Sequence, residues 1–175
     1  MSESTFRFDD SGLRSLLKMM ESDHFIRIGI FGGSHPKGRK AAGAKKNGGR
    51  KAMAGTDTGI TNAEVGFLME YGVPATSDHP AIPARSWLRM PISLKINDIM
   101  KDASFVFIDS AKKGDSLKFL TKLGISAEAW ILRAFATRGF GSWAPNAPKT
   151  IKRKGSDAPL IDTGQLRRSV ASQVI

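Results

Sequence analysis

Apolar residues recur at three- and four-residue steps in four stretches of this 175-residue chain and alternate with polar ones in a fifth. Leu13, Leu16, Leu17 and Met20 follow Asp9, Asp10 and Ser11, residues that can cap a helix start, and predict a short amphipathic helix over 11–21. In 25–31 the β-branched and aromatic run predicts a strand with Ile26, Ile28 and Ile30 on one face, closed by Gly32 and Gly33. Thr61 and Glu64 have capping-box spacing, so Glu64, Phe67, Leu68 and Tyr71 should share one face of a helix that Gly72 stops. Pro74, Pro80 and Pro83 make the next stretch extended.

Pro91 suits a first helical turn, and Ile92, Ile96, Ile99, Met100, Ala103, Phe107 and Ala111 then predict a helix over 92–113. At 1.5 Å per residue it would be about 33 Å long. Gly114 breaks it, Asp115 can cap the next start, and Leu117, Leu120, Gly124, Ala127, Ile131 and Ala134 predict a second helix, with Gly124 a candidate bend. From Gly139 the pattern is irregular as far as Asp162-Thr163-Gly164, after which Leu166, Val170 and Val174 suit a helix-like turn followed by a terminal strand. The expected fold is α+β: one domain over 1–175, a small antiparallel sheet packed with two long helices, and a long flexible basic loop.

That loop, 34–59, has almost nothing to bury, and such long unpatterned segments are generally functional or disordered. Charge singles it out further. With 27 basic and 16 acidic residues the chain carries +11, but 56–136 is neutral and 34–55 alone holds +7. Lys37, Arg39, Lys40, Lys45, Lys46, Arg50 and Lys51 supply it without one opposing acid. A further +5 lies in 137–175, around Lys149, Lys152, Arg153 and Lys154 and at Arg167 and Arg168. Gly and Pro interrupt both blocks, so both read as loops or arms that contact either DNA phosphates or a protein partner. As a flexible coil, about 22 residues span roughly 25 Å, enough to reach a neighbouring subunit.

The 41% apolar content supports a packed core, and zero Cys excludes disulfides, a thiol nucleophile and a Cys-type zinc site. No apolar run approaches the roughly 20 residues of a bilayer span, and the first residues are acidic where a signal peptide is basic, so no membrane partner is expected. The Gly-rich GGSHPKGRK lacks the Gly-Lys-Ser/Thr helix start of a P-loop. His24, His35 and His79 occur singly. Glu64 is explained by capping, Glu70 by a helix surface, and Asp98, Asp102 and Asp109 by the polar side of the long helix; Ser142 and Ser169 lack a nucleophile-elbow context. No catalytic, metal-binding or cofactor-binding residue is nominated, and no cofactor is expected. Between Phe31 and Phe67 there is no aromatic residue on which a base could stack. Trp130 suits packing beside Ile131, whereas Trp143, in a Gly/Pro-rich loop, suits burial and an interface equally.

Four blocks in order, NAEVGFLMEYG, IPARSWLRMP, the long helix pair ending near Arg138, and WAPNAPKTIKRKGSDAPLIDTGQLRRSV, resemble the tail-completion, neck and minor-tail proteins of tailed bacteriophages. They are similar to the Mu-type virion morphogenesis proteins as well. The matching positions are Glu70, Tyr71 and Gly72; Ile82 to Arg89; and Trp143, Pro145, Thr150, Ile151, Lys154, Pro159, Leu160, Thr163, Gly164, Leu166 and Ser169. The resemblance implies a non-enzymatic virion subunit that forms a ring, hexameric or dodecameric, at the head-tail junction. Its partners would be other copies of itself, neighbouring neck, connector or tail-terminator proteins, and phage DNA passing through the ring. It also implies an assembly interface at Arg85, Trp87, Arg89, Trp143, Lys152, Arg153 and Lys154. The alternative, carried by charge alone, is a cytoplasmic nucleic-acid-binding protein acting through the basic loop.

Overall fold

The computed structural model describes residues 9–31, 61–161 and 164–175. The basic arm expected over 34–59, with Lys37, Arg39, Lys40, Lys45, Lys46, Arg50 and Lys51, lies outside them, as does Thr163. The described elements are α1 (Ser11–Met20), β1 (Ile26–Ile30), α2 (Asn62–Tyr71), α3 (Arg89–Lys113), α4 (Leu117–Ala136), α5 (Pro148–Lys154), α6 (Gln165–Arg168) and β2 (Val170–Val174). The α+β architecture expected from the pattern is present: two long helices, α3 and α4, pack together, and α4 lies against a two-stranded antiparallel sheet.

The sheet joins the two ends of the fold, with Ile26 opposite Val174, Ile28 opposite Ser172 and Ile30 opposite Val170. Phe25 N–H extends the ladder by donating to Ile175 O at 2.8 Å. Gly124 lies where α4 meets this sheet, and a Cβ there would run into Ser172 and Ile26 Cδ1. Its missing side chain therefore permits a close helix-sheet approach, and α4 runs unbroken through it. The α3–α4 hairpin turns at Gly114, in the left-handed region at φ +63°. Asp109 reaches Lys113 at 3.2 Å and Lys118 at 3.0 Å beside the turn, and Ser126 Oγ donates to Asp102 at 2.7 Å between the helices. α1 packs on α3, and Ser22 and His24 just beyond it reach the Ser116 hydroxyl at 2.7 and 3.1 Å.

The densest packing is aromatic. Phe135 of α4 lies between Trp87, 6.1 Å away centroid to centroid, and Trp143, 5.7 Å away and edge-on, with Ile131, Ala134 and Leu166 around them. Neither indole leaves its N–H unpaired, since Trp87 Nε1 donates to Gly66 O at 2.8 Å and Trp143 Nε1 to Ser86 O at 3.2 Å. Gly139 at φ +66° makes room for the Trp143 ring, which a Cβ would overlap.

Three local expectations are corrected. α2 does turn its capping box toward the chain start, with Glu64 N donating to Thr61 Oγ1 at 3.2 Å and Thr61 N to Glu64 Oε2 at 2.6 Å. Its inward face, however, is Val65, Gly66, Met69 and Glu70, while Phe67, Leu68 and Tyr71 face solvent. The reason is contact distance: at Gly66 a Cβ would already meet Ile30 Cδ1 and Trp87 Cζ2 at 3.0 Å, so the smallest residue marks the face that packs. α3 starts two residues before Pro91, and its buried line is Pro91, Ile99, Ala103 and Ser110; Ile96, Met100 and Phe107 are exposed. The second basic block is not irregular, because Lys149 and Lys152 to Lys154 belong to α5, a helix with Pro148 in its first turn and left-handed Gly155 at its end.

Candidate functional site

Glu70 was expected on a helix surface, yet it is 5% exposed and carries the densest polar contacts of the molecule. Its Oε2 accepts from the backbone N–H groups of Trp87 and Leu88 at 2.7 and 2.9 Å. Its Oε1 accepts from Ser86 Oγ at 2.6 Å, Arg89 Nε at 3.0 Å and Arg89 N at 3.3 Å. Leu88, the N-cap of α3, offers no capping side chain; Ser86 Oγ accepts from the Met90 amide at 3.0 Å and the carboxylate of α2 accepts from those of Trp87, Leu88 and Arg89, facing the positive end of the helix dipole. Burial pushes the Glu70 pKa up, but the bonds from Ser86, Leu88 and Arg89 outweigh it and hold the carboxyl below its ordinary value. Arg89 completes the clasp, its guanidinium 4.6 Å from the centre of the Tyr71 ring.

This clasp fixes the extended segment before it. Gly72 at φ +76° lets the chain turn back tightly, a Cβ there meeting Ala84 N and Ile82 O at 2.7 Å. Val73 and Ile82 then exchange backbone hydrogen bonds of 2.9 and 2.8 Å, and Arg85 N donates to Met69 O at 2.7 Å. The Arg85 side chain is thereby carried inward to 6% exposure. Nε donates to Ala144 O at 2.9 Å, and Nη2 donates to Pro145 O at 3.0 Å and Asn146 Oδ1 at 3.4 Å. Asn146 passes the contact on, its Nδ2 donating to Asp157 O and Ala158 O at 3.2 and 3.1 Å. No carboxylate forms an ion pair with Arg85 among the described residues, and burial lowers its pKa.

Arg85 stands in the wall of a groove of about 730 Å³. α2 supplies Val65 and Met69 to it, the proline-rich 80–83 segment one side, and 145–154 with Leu160 and Leu166 the other. Pieces distant in sequence, the helix of the first block, Ile82 to Arg85 of the second and much of the last, thus converge on one concave surface. Arg153 and Lys154 of α5 stand at it too, Lys154 Nζ donating to Ala158 O at 3.2 Å. No acidic side chain lines the groove among the described residues.

The residues expected at an assembly interface divide. Trp87 and Trp143 are buried in the chain's own core and Arg85 is spent largely on internal carbonyls, whereas Arg89, Lys152 and Arg153 are exposed and Lys154 is half-buried. Trp130 is half-buried, with Lys95 Nζ 4.6 Å and the Arg133 guanidinium 5.0 Å from its ring centre. Exposed apolar side chains, on α1 including ones that periodicity places inward, supply further surface. Leu13, Leu17 and Met20 form one exposed line on α1, and α3 exposes Leu94, Phe105 and Ile108, with Phe105 84% accessible.

Among the described residues no three His, Asp or Glu gather as a metal site, and no helix is long and apolar enough to cross a membrane. Comparison with family models, curated proteins and solved structures returned no match.

Proposed function

We propose that this chain is a structural subunit of a tailed-bacteriophage virion that assembles as a ring at the head-tail junction and serves tail completion or head-tail joining. It works by surface complementarity, without catalysis, in contact with further copies of itself and with neighbouring neck or connector proteins. The resemblance of the four ordered blocks supplies the family. The observation that carries the assembly role is the exposed apolar lines of α1 and α3, with Phe67 and Tyr71 of α2, on a chain that also has a well-packed core. Exposed large apolar side chains in such number support a surface that is covered on assembly.

The basic residues of α5 and α6 suit a position beside DNA or beside an acidic neighbour. Electron microscopy and light scattering of the purified protein, alone and on isolated tails, test the reading: closed rings are expected. A chain monomeric in both settings, and missing from virions and from their assembly intermediates, would overturn it. For the DNA-binding alternative, retention of duplex DNA by the monomer at physiological salt is the discriminating result.

A further inference from the structure

Arg85 is a charge whose burial is only partly compensated. Three of its hydrogen bonds go to uncharged oxygens, and Nη1 donates none among the described residues. Nη1 is also not sealed from solvent, and Arg85 lines the groove, which is where an incoming acceptor would reach the unused donor. A guanidinium held rigid by carbonyls on one side and open on the other is organised to take an anion, with little side-chain entropy left to lose. The groove is built for more than an ion. Its volume falls within the roughly 300–1,000 Å³ of ligand sites, and Val65, Met69, Ile82, Leu160 and Leu166 give it apolar walls. Among the described residues it has no aromatic side chain on which a nucleobase could stack, and Arg153 adds a second positive charge to its lining.

We propose that this groove binds an extended peptide segment that presents a carboxylate to Arg85 and apolar side chains to the walls formed by α2, Leu160 and Leu166. The inference deepens the assembly reading, since an adjoining subunit or tail protein would supply the segment. The carboxylate can belong to an acidic side chain or to a chain end, and peptide probes separate the two.

The test uses the full-length, isotopically labelled protein and three capped tetrapeptides: Pro-Leu-Glu-Val amide, Pro-Leu-Gln-Val amide, and Pro-Leu-Gln-Val with a free carboxylate. Saturable movement of the Arg85 Nε–H and Met69 amide signals is expected with a carboxylate-bearing peptide, at about tenfold higher affinity than with the neutral one. Whichever carboxylate peptide binds more tightly identifies the source. Arg85→Gln should abolish the preference, and Arg153→Gln, a change at an exposed residue, should weaken it several-fold while leaving the fold intact. If Arg85→Gln fails to fold, the peptide contrast and Arg153→Gln decide. Equal affinity for charged and neutral peptides, or no saturation by about 5 mM, overturns the proposal. So does displacement of the peptide by an equimolar duplex DNA. Rings that form while every peptide fails would remove the groove proposal alone, and peptide binding by a chain that never assembles would remove the ring alone.

Discussion

Glu70 shows how a single side chain can connect two elements that have no strong contact of their own. Its carboxylate accepts from three consecutive backbone amides and from Ser86 and Arg89, so Glu70→Ala leaves the amides of Trp87, Leu88 and Arg89 without their acceptor in a buried place. A loss of about 3 kcal/mol in denaturant unfolding is expected. The pH dependence follows from the lowered pKa. Because the folded value is below the unfolded one, the contribution is complete above the ordinary glutamate value of 4.5 and disappears as pH falls through the folded value. Acid unfolding of the wild type should therefore steepen below that point, and the Glu70→Ala protein should lack that component. The opposite sign is expected at Ser110, whose hydroxyl is buried without a partner. Ser110→Ala should raise stability by about 1 kcal/mol in the same assay. Neither residue was legible from periodicity, which sees a helix face and not what the chain later brings against it.

Among the elements, boundaries were far easier to read than faces. Gly114, the Thr61–Glu64 capping box and the step pattern through Ile131 located the helices, because those signals are local backbone chemistry. Which side of a helix is buried depends on neighbours, and on α3 several large apolar residues lie outside while Ala103 and Ser110 lie inside with Ile99. Small inward residues allow close helix approach, so size as well as hydrophobicity set the face. Two substitutions separate core from interface on this basis. Ile131→Ala, at a fully buried position, should cost about 2 to 5 kcal/mol, more than Leu120→Ala at a half-buried one, by chemical denaturation. Phe105→Ser with Ile108→Ser should change monomer stability by no more than about 0.5 kcal/mol per site and yet abolish ring formation in light scattering. α5 was missed for a related reason: its seven residues carry too few apolar positions to show a period, although Pro148 and Gly155 bracket it as start and stop.

Taken as a whole, the molecule places its positive charge unevenly. α5 and α6 gather Lys149, Lys152, Arg153, Arg167 and Arg168 on exposed positions near the groove, while the helical hairpin pairs many of its own charges. The groove itself was not legible in the sequence, since its walls come from positions some hundred residues apart and nothing in a linear pattern shows that they meet. What the sequence did carry was the identity of the pieces, because Ile82 to Arg85, Pro145 and Leu166 are among the residues that stood out as motifs.

The pairing of Ile26 with Val174 also sets an order of events. The α3–α4 hairpin is local and can form as soon as its own residues leave the ribosome, but β1 must wait for β2, which follows it only after α2 to α6. Until then the sheet side of α4 lacks its covering strand. Residues 170–174 thus act as a timing latch: until they have emerged, the sheet side of the fold cannot take its final shape.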